Sequence, residues 1–127
     1  MATIAYSEEM SGELGSDLPI GTRIITWAAM AQGDVGATYE ASAHYPDKCV
    51  QFTGTFGGAT IVLQGSLGTA SPTYFTLTDP QGNAISKTDV AGEQVLENCY
   101  TVRPNITGGD GTTAITVKLL MTTIARR

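Results

Sequence analysis

The stretch Cys49 to Ser66, CVQFTGTFGGATIVLQGS, constrains this chain more than any other. Val50, Phe52 and Gly54 alternate with Gln51, Thr53 and Thr55. Ile61 and Leu63 then alternate with Thr60, Val62 and Gln64, the period-two pattern of half-buried strands. Between the two runs stands Gly57-Gly58, a pair that supplies the two positive φ angles of a type I′ turn at no Cβ penalty. The stretch predicts a β-hairpin.

The same pattern recurs in both directions. Arg23 to Met30 is rich in β-branched residues with Trp27 and predicts a strand, against a helix favoured by the propensity of Ala28 to Gln32. Ala37 to Ala43 alternates and predicts another strand, followed by a turn at 44–48 carried by Pro46 and Asp47. Thr73 to Thr78, Ala84 to Ser86, Glu93 to Leu96 and Tyr100 to Val102 are shorter candidates, and Pro104 should end pairing on its side of the last of these. Asp79-Pro80-Gln81-Gly82-Asn83 and Thr107-Gly108-Gly109-Asp110-Gly111 read as tight turns. Thr112 to Thr123 carries the longest alternation, with Ile115, Val117, Leu119 and Met121 on one side, and predicts a central strand. About eight short strands with Gly- or Pro-bearing turns predict an all-β fold, a single antiparallel β-sandwich or jelly roll. Residues 22–127 form that domain in this reading. In residues 1–21, Gly, Ser, Asp and Pro interrupt every run, which predicts an extended acidic N-terminal arm.

A chain of 127 residues suits one domain with its own core. Seven basic against twelve acidic residues give a net charge of −5, which argues against nucleic acid or an anionic membrane as partner. No apolar run approaches the ~20 residues of a membrane helix, and the acidic start MATIAYSEEM is unlike a secretory leader, so a soluble protein made in the cytoplasm is expected. Glu8, Glu9, Glu13 and Asp17 charge the arm negatively, while Arg126 and Arg127 close the chain. These six are the candidate interface residues, since an arm can pair with a neighbouring subunit's tail; two solvated ends are the competing reading.

Chemistry is thinly represented. His44 is the only histidine and lies near Cys49, but neither has a spacing that marks a catalytic pair. Cys49 and Cys99 lack CxxC spacing, so a zinc site is not expected, and free thiols are favoured over a bridge. Asp79 and Asp110 in their Gly-bearing turns can ligate calcium or simply serve the turns. Gly108-Gly109-Asp110-Gly111 lacks the Lys-Ser/Thr of a phosphate loop. Trp27, Tyr39, Tyr45, Tyr74 and Tyr100 can form a sugar-stacking face if they share one surface. No catalytic, cofactor or metal residue is expected.

Val50 to Ser66, the run Phe75-Thr76-Leu77-Thr78-Asp79-Pro80-Gln81-Gly82-Asn83-Ala84, Val102-Arg103-Pro104 and Thr107 to Thr112 together resemble small virion proteins of tailed bacteriophages, nearest the capsid decoration, or cement, proteins. The resemblance implies a small sandwich or jelly roll bound to the outside of the major capsid protein shell, non-enzymatic and without cofactor. It implies self-association as a dimer or trimer, and a virion location on the capsid surface. A tail or head–tail joint protein and a carbohydrate-binding module are the alternatives. The sugar-binding pattern of similar sandwiches, Ser-Asn-Asp-Gly-x-x-Trp, is here Ser66-Leu67-Gly68-Thr69-Ala70-Ser71-Pro72, without its Asn-Asp or Trp. In this reading, deleting the arm leaves the sandwich folded and lowers capsid occupancy.

Overall fold

The computed structural model describes all residues except 1, 12–14, 16, 17, 19, 41, 69–71 and 124–127. Among the described residues eleven strands form: β1 (Thr3–Ile4), β2 (Tyr6–Met10), β3 (Thr22–Met30), β4 (Val35–Gly36), β5 (Asp47–Thr55), β6 (Ala59–Ser66), β7 (Phe75–Thr76), β8 (Ser86–Lys87), β9 (Ala91–Val95), β10 (Thr101–Gly108) and β11 (Ala114–Thr122). They make two sheets. Sheet A runs β1-β4-β10-β6-β7, with β8 also on β6, and sheet B runs β2-β3-β11-β5-β9. Every pairing is antiparallel except β1 with β4. The all-β sandwich read from the sequence is the observed fold.

The core lies between the sheets. Ile25, Trp27, Val50, Phe52, Ile115, Val117, Leu119 and Met121 face inward from sheet B, and Ile61, Leu63, Val102 and Ile106 from sheet A. Each such aliphatic contributes about 1.5–3 kcal/mol on burial. β11 is central in sheet B, as its alternation predicts, paired over its whole length with β5 and over most of it with β3.

The predicted hairpin is corrected in one respect. Its two strands are present and its turn has the expected chemistry: Gly57 and Gly58 have φ of 58° and 83°, and the Ala59 N–H donates to the Phe56 carbonyl at 2.9 Å. The strands themselves belong to different sheets. β5 pairs with β11 and β9, whereas β6 pairs with β10, β7 and β8. The stretch is an arch: Val50 and Phe52 meet Ile61 and Leu63 across the core rather than along one sheet surface. Both strands carry apolar inner faces, and facing each other across the core buries both at once.

The turn between β10 and β11 is a second arch. Gly108 and Gly109 have φ of 69° and 100°, and the chain again crosses from one sheet to the other. The two arches stack. The buried Thr113 hydroxyl donates to the Phe56 carbonyl at 2.9 Å, and a Cβ on Gly57 would stand 2.4 Å from Asp110 Oδ1. Gln32, in the crossing from β3 to β4, donates to the Gly109 carbonyl at 3.2 Å and joins the same end.

Other expectations shift for local reasons. Over 37–43 only Tyr39 pairs, in a bridge to Val102, and Ser42–His44 is a single 3-10 turn; Ala41 lies outside the described residues. Ser42 is drawn inward instead, its hydroxyl bonded to the Cys99 carbonyl. In 73–78 only Phe75–Thr76 and a Thr78–Ala84 bridge pair. β10 extends well past Val102, because Pro104 sits where the ladder to β6 asks for no donor. Leu63, opposite Pro104, directs its N–H and C=O the other way, to Ile85 and Leu77. On its far side Pro104 does interrupt pairing, between the Tyr39 bridge and the single Asn105–Val35 contact with β4.

Residues 3–4 and 6–10 of the N-terminal stretch lie along the sandwich as β1 on β4 and β2 on β3. The Tyr6 ring packs edge-on against Trp27 and Tyr39, with centroids 5.9 and 5.5 Å away. Near its end β3 holds one extra residue opposite β11, a bulge that places Ala29 at φ 52°.

Candidate interaction surfaces

Strand directions sort the connections into two ends. One is the stacked arches. The other, the loop end, gathers the ends of β2, β6, β9 and β11 with the starts of β3, β5 and β10. Six exposed large apolar residues stand at or beside it: Ile20 at 95%, Leu67 at 78%, Leu96 at 57%, Phe75, Tyr100 and Met10. Leu67 and Tyr100 lie one residue past the Ser66–Thr101 pair and so sit side by side. Apolar side chains scattered singly need no explanation, but a cluster on one end of a small domain does.

Of the residues singled out for an interface, Glu8 and Glu9 lie on β2, the edge of sheet B, opposite Ile25 and Ile24. Glu8 pairs with Arg23 at 3.5 Å; Arg23 also donates to the Tyr39 hydroxyl at 2.8 Å and lies over the Tyr45 ring. Glu13, Asp17, Arg126 and Arg127 lie outside the described residues. Their flanks meet at the loop end: the Ser11 N–H donates to the Thr22 carbonyl, and the Thr123 N–H to the Gly21 carbonyl at 3.0 Å.

Beneath the loop end is a buried lysine the sequence reading passed over. Lys48 is 1% exposed, and its Nζ donates to Asn98 Oδ1, while Asn98 Nδ2 donates to the Ala43 carbonyl at 3.1 Å. Burial holds the Lys48 ammonium at a pKa of about 8, against the pull of the nearby Cys99 and Asp47. The same burial pushes the Cys99 thiol up. The signal was in the alternation, since position 48 shares the inward register of Val50 and Phe52.

A cleft of about 170 Å³ opens on the outer face of sheet A, lined by Thr38, Glu40, Pro72, Tyr74 and Thr101. The Tyr39–Val102 bridge sets Thr38 beside Arg103 and Glu40 beside Thr101. The Arg103 guanidinium lies 3.7 Å from the Tyr74 ring centre, and its Nε donates to Gln64 Oε1 at 3.0 Å. The Tyr74 and Thr38 hydroxyls are 2.5 Å apart. A largely apolar hollow of about 360 Å³ marks the outer face of sheet B, with Ile24, Cys49, Leu120 and Lys118 around it.

The five aromatics of the conjectured sugar face do not share a surface. Trp27 and Tyr39 are core, Tyr45 and Tyr74 are each covered by an arginine, and only Tyr100 is exposed. His44 and Cys49 are both exposed, and among the described residues no hydrogen bond joins them. Both cysteines are free thiols, Cys49 exposed and Cys99 buried. Asp79 Oδ1 accepts from the N–H groups of Gln81 and Asn83, and Asp110 Oδ1 from the backbone N–H and the hydroxyl of Thr112, so both acids serve their turns. Those bonds hold both carboxyls below the usual range. Among the described residues no three His, Cys, Asp or Glu side chains gather as ion ligands.

No known protein family and no curated protein matches this sequence. Among solved structures, a cupin 2 domain-containing protein from Halorhodospira halophila aligns at TM-score 0.37 and 11% identity over 96% of this chain and 66% of that one. A protein of Bacillus endospore appendages aligns at 0.33 and 16% identity over 95% and 91%. The SPBc2 prophage-derived protein YomS aligns at TM-score 0.60 over 84% of this chain and 98% of that one, with 12% identity, so the two share a fold.

Proposed function

We propose that this chain is a non-enzymatic structural protein of a bacteriophage virion, and within that class a capsid decoration protein that binds the outside of the major capsid shell. The observation that carries the reading is the loop end. It combines Ile20, Leu67, Leu96, Phe75, Tyr100 and Met10 with the flanks of the acidic stretch and of the basic tail. Apolar anchors rimmed by charge suit docking onto another protein. The fold shared with a prophage-derived protein supports a phage origin. Decoration needs only modest affinity at each joint, since repeated contacts around a symmetric shell multiply it, and self-association as a dimer or trimer would add to that effect.

Purified protein mixed with shells of the major capsid protein should cosediment at saturating, stoichiometric occupancy. The double variant Ile20→Asp, Leu67→Asp replaces two solvent-facing side chains and should lower occupancy at least tenfold with an unchanged unfolding midpoint. Equal occupancy would remove the loop end as the interface, and failure of the native protein to bind shells would remove the decoration reading.

A further inference from the structure

We propose that Asp34 is the seat of a free α-ammonium at Ala2, released by hydrolysis of the peptide bond between residues 1 and 2. Asp34 lies in the crossing from β3 to β4 and is only 6% exposed. Its backbone is fixed on both sides: its N–H donates to the Ala31 carbonyl at 3.1 Å, and its own carbonyl accepts from the Ile106 N–H at 2.9 Å. The carboxylate meets two main-chain nitrogens. Oδ2 accepts from the Ala31 N–H at 2.8 Å, and Oδ1 from the Ala2 N–H at 3.1 Å.

Both donors are neutral, and a buried carboxylate is costly unless a cation accompanies it. Among the described residues the ion pairs join Arg23 to Glu8 and Lys87 to Glu93, and none reaches Asp34. The nitrogen that can supply the charge is already in place. Ala2 is held just ahead of β1, its carbonyl accepting from the Val35 N–H at 3.0 Å, while Thr3 stands opposite Val35 and the Ile4 carbonyl accepts from the Ala37 N–H at 2.8 Å. Ala2 is exposed, so the bond before it is open to a peptidase, and alanine is small enough for the aminopeptidases that remove a preceding methionine. Water adds across the carbon–nitrogen bond, residue 1 departs with the new carboxylate, and the proton it sheds goes to the Ala2 nitrogen. With an ordinary α-amino pKa of about 7.7–8.0, that nitrogen is mostly ammonium at pH 7. Its bond to Asp34 Oδ1 becomes charge-assisted, roughly twice as strong as the neutral one, and fastens β1 to β4. The site does not depend on the decoration reading, because neither Ala2 nor Asp34 belongs to the loop end.

Three forms of the chain test this: residues 1–127, residues 2–127 with a free amine, and residues 2–127 acetylated on Ala2. The acetyl group restores a single neutral N–H at Asp34. The intact mass of the protein expressed with Met1 in a bacterial cytoplasm should fall short of the sequence mass by one methionine residue. In thermal melts at pH 7 the free-amine form should have a Tm about 4 °C above both of the others. In Asp34→Asn that gap should close, since a neutral amide gains little from an ammonium. Amide shifts between ¹⁵N-labelled free-amine and acetylated forms should reach Ala31 and Asp34, a readout that leaves Asp34 untouched and holds even where Asp34→Asn does not fold. The proposal is overturned by retention of Met1, by equal Tm for the free-amine and acetylated forms, by an undiminished gap in Asp34→Asn, or by shifts confined to the residues next to Ala2 in the chain.

Discussion

Replacing Lys48 with Met should make the protein more stable near neutral pH. The free lysine side chain titrates at 10.5 and Lys48 in the fold at about 8. Keeping the ammonium charged inside the sandwich therefore costs about 3 kcal/mol at pH 7. Methionine fills a similar volume with no charge to desolvate. The lost bond to Asn98 costs about 1 kcal/mol, because Asn98 is exposed and its oxygen can return to water. The expected net gain is about 2 kcal/mol, or roughly 8 °C in Tm for a domain of this length.

The pH profile gives the sharper test. Lys48 is a base whose native pKa lies below its unfolded value. Between the two the unfolded chain binds more protons, and stability rises with pH. From about pH 7 to about pH 8.5 the native protein should gain about 1 kcal/mol from this group. Cys99 acts in the opposite sense, since its raised thiol removes stability as pH climbs past the unfolded value near 9.0, so the comparison belongs below that point. Urea unfolding of both proteins at the two pH values, with equal m-values, measures the effect. A Lys48→Met variant less stable than the native protein at pH 7, or one with the same gain on raising the pH, would refute the reasoning.

Two further outcomes concern the backbone. Gly58→Ala should cost about 1 kcal/mol, for its φ of 83° alone, because its Cβ points into open space. Gly57→Ala should cost at least about twice that, since its Cβ would also meet Asp110, Thr112 and the buried Thr113 between the stacked arches; equal midpoints for the two in thermal melts would show that the arches do not press together. At the bulge, Ala29→Gly relieves the left-handed φ of 52° and should stabilise by about 0.5 kcal/mol after the added entropy of glycine; calorimetry should show a higher Tm.

The alternation of residues along Cys49–Ser66 and Thr112–Thr123 revealed the strands and their inward faces, because period two is a local property of the chain. Their partners were not legible. Gly57-Gly58 specifies a tight reversal of direction, and the φ angles obey it; whether the two strands then bond each other depends on β10 and β11, far along the chain. Tyr39 shows the same limit: its alternating neighbours suggest a strand, but only one residue of that stretch finds a partner on β10. The cleft was out of reach, since Glu40, Tyr74 and Arg103 are brought together by the Tyr39–Val102 bridge and by the loop before β7. Glu8 was legible as a charge but not as the partner of Arg23, a contact that needs the pairing of β2 with β3.

The stacked arches also dictate how this chain can reach its fold. Neither Gly-Gly turn brings its own two strands into hydrogen-bonding contact, so neither makes a local hairpin that could seed the long ladders, and the tight reversal at 78–84 closes only a single bridge. The long ladders close only when Asp47 meets Thr122 and Thr101 meets Ser66. Contacts so distant along the chain charge their loop entropy before they return any stabilisation, which places refolding on the order of milliseconds to seconds rather than microseconds. The contact that stacks the arches, from the Thr113 hydroxyl to the Phe56 carbonyl, is itself one of these distant contacts.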